Sequence, residues 1–314
     1  MKPKIYICQN DDKVFVDIIM LTYNHESYIE KAIESVLMQR TQYSYRIMIG
    51  EDCSTDSTRQ IVKRYYKKYP DKFELYLWNQ NVGVNINSLE LVKNCKGKYI
   101  AQIEGDDYWT DPNKLEKQIT FLENHKKYIG TAHNVRCVDI DGELLHCDFN
   151  FYPICEEHVY AKEQAVRYEM AAQTASLVYR NIWIDWSDQR LEQFIKCKGN
   201  GDLKVELLLG VTQGIYYFRD IMADHRRVFQ GDSWTAQSYN KNMLWFQYES
   251  CCAIQTYIKE YEKISLNADD VFESLFDESF VRLFSKLNKE NVIIYWKFLR
   301  RKMGILLNSL KKIY

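Results

Sequence analysis

The first third of the chain alternates between continuous apolar runs and stretches in which apolar residues recur every three to four positions. The run from Val14 to Leu21 is interrupted only by Asp17, and such a run is typical of a strand buried on both faces of a parallel sheet. Helical spacing follows through Leu37. The same alternation predicts strands at 45–50, 73–78 and 99–104, with helices at 54–68 and 87–95 between them. This order predicts a doubly wound α/β sheet.

The rest of the chain is less regular, but the same two periods can be followed through most of it. A helix is predicted at 112–125, and a strand at 129–140 meets an Asp141-Gly142 turn of the kind that closes hairpins. We further predict strands at 173–179 and near 215–218, and helices at 183–197 and 205–209. From about residue 241 the pattern is helical. The predicted architecture is a mostly parallel sheet flanked by helices over residues 1–240, followed by a C-terminal helical segment at 241–314.

The composition is that of an ordinary folded protein. Of 314 residues, 46% are hydrophobic and 27% are charged, and the formal net charge is −1, which disfavours a disordered chain and a nucleic-acid binder. The nine cysteines form no C-x-x-C pair, so reduced thiols are expected rather than a zinc site. Neither a signal-peptide core nor an apolar stretch of about 18 residues is present. We therefore expect a cytoplasmic protein, soluble or peripheral on the inner face of the plasma membrane.

Polar clusters follow three of the four predicted strands in the first third of the chain. They are Thr22-Tyr23-Asn24, Glu51-Asp52 and Glu104-Gly105-Asp106-Asp107. Ligands of open α/β sheets bind at the carboxyl ends of the strands, so these clusters are predicted to converge. Carboxylates beside a glycine, which allows close backbone approach, suit a hard cation such as Mg²⁺ or Mn²⁺ that also binds diphosphate oxygens.

Five ordered motifs over residues 14–125 resemble glycosyltransferase family 2, in the version found in bacterial capsule and surface-glycan enzymes. A weaker likeness continues at about 173–234. The motifs are Asp17 to Asn24 with Ser35 to Gln39, Glu51 to Thr58, Asn81-x-Gly83, Gly97 to Ile100, and Gly105 to Leu115. The resemblance implies a GT-A fold, with a nucleotide-sugar half at about 14–125 and an acceptor half at 126–240. It also implies metal-dependent, inverting transfer from a UDP-sugar to a hydroxyl of a glycan or lipid-linked oligosaccharide, in the synthesis of a bacterial surface polysaccharide.

The same resemblance implies roles for individual residues. Asp52 corresponds to the carboxylate that hydrogen-bonds uracil, and Tyr23 to the ring that stacks on the base beside the backbone of Leu21. Asp106 corresponds to the ribose contact and Asp107 to the ligand of Mn²⁺ or Mg²⁺. Asn81 and Gly83 match the loop along the nucleotide. Two alternatives remain open, since Tyr23 could serve only in packing at a strand end and Asp52 could cap a helix.

Gly201-Asp202-Leu203 resembles the family's Gly-Asp-Trp motif, which supplies the base that deprotonates the acceptor hydroxyl. The chain departs from that motif at Leu203, where Trp is usual, and at Lys204. Asp202 is the predicted base, although a helix cap is an alternative. The rival carboxylates are Asp185, Asp188 and Glu206.

A second departure concerns the family's Tyr-Arg-x-His motif, whose His lies near the metal or diphosphate. Val228 stands where that His would align, and His225, Arg226 and Arg227 are the candidates for metal or diphosphate support. The segment from Gln230 to Trp234 resembles the loop that covers the donor.

The last 23 residues carry an apolar stripe from Val292 to Ile313 flanked by lysines and arginines. Such a helix fits an anionic bilayer, but also packing on its own domain or in a homodimer. A non-catalytic nucleotide-sugar-binding scaffold of the same fold is the competing function. A nucleotidyltransferase is disfavoured, because residues 20–30 contain no glycine for a phosphate loop.

Overall fold

A ten-stranded mixed sheet with helices on both faces organises the residues that this computed structural model describes, which are 2–9, 14–145, 157–166, 173–199, 201–228, 250 and 252–264. The strands are β1 (Lys4–Tyr6), β2 (Val16–Thr22), β3 (Tyr45–Glu51), β4 (Phe73–Leu77), β5 (Tyr99–Glu104), β6 (Tyr108–Trp109), β7 (Gly130–Val138), β8 (His158–Tyr160), β9 (Val178–Arg180) and β10 (Ile215–Arg226). The helices are α1 (Ile29–Leu37), α2 (Thr58–Lys68), α3 (Val84–Lys93), α4 (Lys114–Asn124), α5 (Lys162–Val166), α6 (Asp188–Lys196) and α7 (Gly201–Thr212).

The strand order is β1-β4-β3-β2-β5-β9-β7-β10-β6, with β8 paired to β10. Within it β4, β3, β2 and β5 are parallel neighbours. The chain passes from β2 to β3 and β4 on one side and then returns to β5 on the other side of β2. The ends of β2 and β5 therefore flank a topological switch point, where open α/β sheets bind their ligands.

A buried ionic network explains why β2 tolerates the acidic Asp17. Arg46 donates to Asp17 from Nε at 2.9 Å and to Glu74 from NH1 at 2.7 Å, linking β2, β3 and β4. The other oxygen of Asp17 accepts the backbone N–H groups of Lys96 at 2.6 Å and Gly97 at 2.7 Å. A buried charge that is fully hydrogen-bonded in this way fixes strand order and the entry into β5.

Two apolar cores lie on opposite faces of the sheet. One contains buried residues of α1, α2 and α4, and the other contains those of α3, α6 and α7. In the first third of the chain the predicted strands and helices are confirmed, with ends that differ by up to about four residues.

Three elements of the second half differ from their predictions. The predicted strand at 173–179 begins with a 3₁₀ turn at Thr174–Ser176, and β9 is confined to Val178–Arg180. The predicted helix at 183–197 starts only at α6, because the hydroxyl of Ser187 accepts the N–H of Arg190 at 3.2 Å and caps it there. The strand predicted near 215–218 continues to Arg226, through register shifts that leave Arg219 and Asp220 exposed.

β1, β6, β8 and α5 are short elements that the apolar pattern did not predict. Of the C-terminal helical segment, residues 252–257 are helical and lead into a π-helical turn at Ile258–Glu262. The loop at 230–234 and the stripe at 292–313 lie outside the described residues. Among the helices described, none has the length and apolar character needed to cross a membrane.

Candidate active site

The three polar strand ends predicted from the sequence lie side by side at one edge of the sheet. Thr22 at the end of β2 pairs with Glu51 of β3, and the preceding Leu21 pairs with Glu104 of β5. Leu21 is partly buried, and its carbonyl accepts the N–H of Gly105 at 2.9 Å. Tyr23, which follows, is partly exposed. The predicted convergence of these clusters is confirmed.

Reciprocal hydrogen bonds join the turn after β2 to the turn after β3. Asn24, whose backbone has a left-handed φ of 55°, donates its N–H to Ser54 Oγ at 3.0 Å. Its side-chain oxygen accepts the N–H of Thr55 at 2.9 Å. A second pair of bonds joins the same turns. The N–H of Glu26 donates to the Asp56 carboxylate at 3.0 Å, and the N–H of Ser57 donates to the Glu26 carboxylate at 2.8 Å. These bonds hold together the two turns that begin with Tyr23 and Asp52, directly after β2 and β3.

Asp52 is buried and holds the loop that contains Asn81 and Gly83. Its two oxygens accept the backbone N–H groups of Val82 at 2.7 Å and Gly83 at 2.9 Å. Gly83 has a φ of 84°, which side chains other than glycine rarely adopt. The N-terminal N–H of α2, that of Thr58, bonds to Asp56 at 2.9 Å. Asp52 instead bonds to the residues that precede α3, one of which is its N-cap residue Gly83, and its predicted contact with uracil stays a prediction.

The acidic turn packs tightly against the first polar cluster. A Cβ atom added to Gly105 would lie 2.7 Å from both His25 Nδ1 and Thr22 Oγ1. His25 continues this contact, since its Nε2 lies 4.0 Å from an Asp106 oxygen. The glycine thus lets the turn approach β2 closely enough to bring Asp106 beside an imidazole.

Asp107 is the most constrained carboxylate of the turn, with 1% of its surface exposed. One oxygen accepts the backbone N–H of Arg226 at 2.8 Å, and the other accepts the side-chain amide of Gln173 at 2.6 Å. His225 Nδ1 lies 3.1 Å and 3.2 Å from the two oxygens. The end of β10 and the segment before β9 therefore meet at Asp107.

The electrostatics of this cluster reflect concentrated negative charge. Burial raises the pKa of Glu104 well above its ordinary value, and the neighbouring Asp106, Asp107 and Asp202 raise it further. Burial also raises the pKa of Asp106, against the opposing effect of His25. Burial alone would lower the pKa of His225, but the adjacent Asp107 and Asp106 outweigh it, so that pKa lies above its ordinary value.

These groups fit a hard divalent cation. Ligand oxygens of Glu104, Asp106 and Asp107 lie within 4.8 Å of one another, and the imidazole of His225 borders the same group. Carboxylates with one imidazole are a donor set that Mn²⁺ or Mg²⁺ accepts. A cation there would also offset the charge repulsion that raises the carboxyl pKa values.

The three candidates for diphosphate support have different positions. His225 is at the acidic turn, as described above. Arg227 follows it by two residues, directly after the end of β10, and its charge lowers the pKa of His225. The prediction for Arg226 needs correction, because its guanidinium is 4% exposed and donates to the carbonyl oxygens of Asp106, Asp139 and Ile140. It also lies 4.6 Å from the ring centre of Tyr28. This side chain secures the acidic turn instead of facing a phosphate.

Asp202 lies in the first turn of α7, where its carboxylate accepts the N–H of Leu203 at 2.7 Å. This bond is local to the first turn of the helix, and both the base role and the helix-cap alternative stay predictions. Burial raises the pKa of Asp202, while the bond from Leu203 and the charge of His225 lower it. The charge of Asp202 in turn raises the pKa of Glu104, so the two carboxylates lie within electrostatic range of each other.

The rival carboxylates have other environments. Asp185 is exposed, Asp188 has 84% of its side chain exposed, and Glu206 is fully buried in α7. Lys204 also has a clear structural position. Its buried ammonium donates to the carbonyl oxygens of Ile195 at 2.9 Å and Cys197 at 2.8 Å, at the end of α6. This departure from the family motif therefore ties α6 to α7.

The sequence analysis did not identify Gln173 as part of this site. Its position in a predicted strand gave no sign that its amide would reach a carboxylate 66 residues earlier in the chain. The one signal was its place at the start of the weaker stretch of family likeness at 173–234.

Comparison with known proteins gives matches concentrated in the first half of the chain. A family model described as Glycosyl transferase family 2 matches residues 17–177, about half of the chain. An uncharacterized protein of Mycobacterium tuberculosis is 36% identical over 165 residues, covering 52% of this chain and 46% of that protein. TuaG of Bacillus subtilis, a putative teichuronic acid biosynthesis glycosyltransferase, is 34% identical over 110 residues, covering 35% of this chain and 42% of TuaG. The matches span slightly less than half the length of these curated relatives.

Solved structures resemble a larger share of the chain. S. aureus TarS 1-349 in complex with UDP-GlcNAc has a TM-score of 0.63 at 18% identity, covering 90% of this chain and 79% of that one. The mannosyltransferase PcManGT of Pyrobaculum calidifontis, in complex with GDP-Man and Mn²⁺, has a TM-score of 0.50 at 11% identity, covering 97% and 82%. At these identities the likeness concerns the fold alone, and it confirms the predicted GT-A fold.

Proposed function

The chain belongs to glycosyltransferase family 2, and from that premise we propose that it transfers a sugar from a UDP-sugar to a hydroxyl group of a glycan acceptor. One observation carries the proposal. Asp107 is fixed by three contacts at the carboxyl edge of the sheet, and His225 is one of them. Asp202, whose pKa is affected by His225, is within electrostatic range of this group, which supports a diphosphate-binding centre with a candidate base.

The donor site is proposed at the ends of β2, β3 and β4. Asp52 would accept a ring N–H of uracil, since each of its oxygens keeps a lone pair beyond the backbone bond that it already accepts. Tyr23 would stack on the base and Asp106 would bind the ribose. The loop of Asn81 and Gly83, held by Asp52, would lie along the nucleotide. TarS, which binds UDP-GlcNAc, shares this fold and supports a UDP-linked donor.

The proposed metal ligands are Asp107 and His225, with Mn²⁺ or Mg²⁺ as the ion. When bound, the ion would neutralise the charge that develops on the departing diphosphate. The hydrogen bonds from Gln173 and Arg226 hold the two oxygens of the Asp107 carboxylate at fixed positions. Arg227, which lies near His225, is the proposed cation for the phosphates.

Asp202 is the proposed base, which would take the proton of the acceptor hydroxyl as that oxygen attacks the anomeric carbon. The bond to the diphosphate would break on the opposite side, so that the anomeric centre inverts. Burial in the first turn of α7 raises the pKa of Asp202. A raised pKa brings a carboxylate closer to the working pH, which favours removal of a hydroxyl proton. The acceptor is proposed to be a glycan or lipid-linked oligosaccharide of a bacterial surface polysaccharide, reached at the cytoplasmic side of the membrane. The similarity to TuaG, a putative teichuronic acid biosynthesis glycosyltransferase, supports this class of product.

A screen of UDP-sugars tests the proposal. Purified protein is incubated with each donor in Mn²⁺ and in EDTA, and both the shift in unfolding temperature and the release of UDP are measured. We expect one donor to stabilise the protein and to be slowly hydrolysed, only with metal. Protein that binds UDP but turns over no donor, with or without acceptor glycans, would favour the scaffold function instead.

A further inference from the structure

Gln173 is a buried polar residue that the proposed chemistry does not use directly. Its exposed fraction is 5%, and it immediately precedes the 3₁₀ turn at Thr174–Ser176. Its side chain bridges that turn and the acidic turn after β5.

The orientation of the Gln173 amide is determined by its surroundings. The backbone N–H of Ala175 donates to the side-chain oxygen at 2.7 Å. The NH₂ end must therefore point the other way, where it donates to Asp107 Oδ2 at 2.6 Å and lies 3.0 Å from His225 Nδ1. Asp107 is therefore the acceptor of the amide, and His225 Nδ1 lies beside this bond, 3.1 Å from Asp107 Oδ1.

Two of the three groups that contact the Asp107 carboxylate are neutral donors. Arg226 contributes its backbone N–H to Oδ1, and Gln173 contributes its amide to Oδ2. They fix the rotation of the carboxylate without neutralising its negative charge. A lysine or arginine in place of Gln173 would instead compete with a metal ion for that charge.

We propose that Gln173 is a positioning residue for the metal site, which orients Asp107 as a ligand through its amide. The inference rests on the proposed function, because it assumes that Asp107 and His225 hold the ion. Partners that orient metal ligands in this way commonly contribute about 10–100-fold to metal affinity.

Three variants test the inference with MnCl₂ and UDP as probes. Gln173→Leu removes the amide. Gln173→Glu keeps an oxygen for the N–H of Ala175 but loses the donor to Asp107. Ser176→Ala is the matched control, because it deletes only the bond from Ser176 Oγ to the carbonyl of Gln173, 2.8 Å long, within the same turn. Free Mn²⁺ is measured by electron paramagnetic resonance at saturating UDP, and folding is checked by thermal unfolding.

We expect the dissociation constant of Mn²⁺ to rise about tenfold or more in Gln173→Leu, and turnover to recover at high Mn²⁺. Gln173→Glu should differ from the wild type by more than about threefold, whereas Ser176→Ala should match it. Wild-type Mn²⁺ affinity in Gln173→Leu would overturn the inference. Wild-type Mn²⁺ affinity in Gln173→Glu would also overturn it, because the only role left for Gln173 would be to accept the N–H of Ala175 in its own turn. A wild-type protein that binds neither UDP nor Mn²⁺ would overturn the proposed function itself.

Discussion

At the residue scale, the acidic turn separates two aspartates that are adjacent in sequence. Asp107 points into the protein and is held by Arg226 N–H, Gln173 and His225, whereas Asp106 remains partly exposed beside His25. The sequence predicted both aspartates at the site, because strand ends and acidic residues are visible along the chain. It did not predict Gln173, because the hydrogen bonds that orient a carboxylate come from residues distant in sequence.

Gly105 offers a direct test of how closely the acidic turn must approach β2. A methyl group there would lie 2.7 Å from His25 Nδ1 and Thr22 Oγ1, so in Gly105→Ala the turn must shift. We expect UDP affinity in Mn²⁺, measured by calorimetry, to fall about tenfold. Gly201→Ala is the control, since its methyl group meets no atom within 4 Å. Equal UDP affinity in wild type and Gly105→Ala would contradict the account of this turn.

The raised pKa of Asp202 predicts an acid limb in the pH dependence of turnover. A base acts only when ionised, so kcat/KM should rise with pH through the raised pKa and then level off. The limb should lie above the ordinary aspartate value of about 3.9. It should vanish from the residual activity of Asp202→Asn. A rate that stays constant down to about pH 4, or an unchanged limb in Asp202→Asn, would remove Asp202 from this role.

At the element scale, β10 and the α6–α7 corner bring the second half of the chain to the site. Along β10 the side chains of Asp224 and Arg226 lie on one face, bound to Arg136 and to backbone carbonyls, while His225 lies on the other. The polar Arg219-Asp220 pair suggested that the strand ended near 218, but a bulge places these residues in solvent and the strand continues. Bulges depend on the partner strand, so the apolar pattern alone could not predict this extension.

The corner between α6 and α7 gives a prediction about stability. Lys204 is 1% exposed and donates to the carbonyls of Ile195 and Cys197. In Lys204→Met the last carbonyls of α6 lose their buried donor, and we expect a loss of about 1–3 kcal/mol in the free energy of unfolding. The measurement is urea denaturation, with Lys196→Met as control, because that side chain is 74% exposed and should contribute less than about 0.5 kcal/mol. Similar stability in both variants would contradict the capping role.

At the scale of the whole molecule, one sheet joins the two predicted halves. β9 pairs with β5 on one side and with β7 on the other, so it links the strands of the two halves. Gln173 lies shortly before β9 in the chain. The first half was predictable because its strands are continuous apolar runs that alternate regularly with helices. The second half was less so, because its short strands and 3₁₀ turn are stabilised by tertiary contacts such as those of Gln173 and Ser187.

The C-terminal stripe at 292–313 yields a further prediction, which stays a hypothesis from sequence. If the stripe binds an anionic bilayer, the protein should sediment with vesicles that contain phosphatidylglycerol, and truncation after Asn291 should abolish sedimentation. Vesicles of neutral lipid serve as the control. Unchanged sedimentation of the truncated protein would leave self-packing or dimerisation as the role of the stripe.

The most direct test of the account compares two single substitutions with the wild type, using the active UDP-sugar. Binding of UDP in Mn²⁺ and release of UDP from the donor are measured for each protein. Asp202→Asn should bind as the wild type does but turn over about 10²–10⁴-fold more slowly, whereas Asp107→Asn should lose the metal-dependent part of both. Wild-type turnover in Asp202→Asn, or an unchanged Mn²⁺ dependence in Asp107→Asn, would contradict the account.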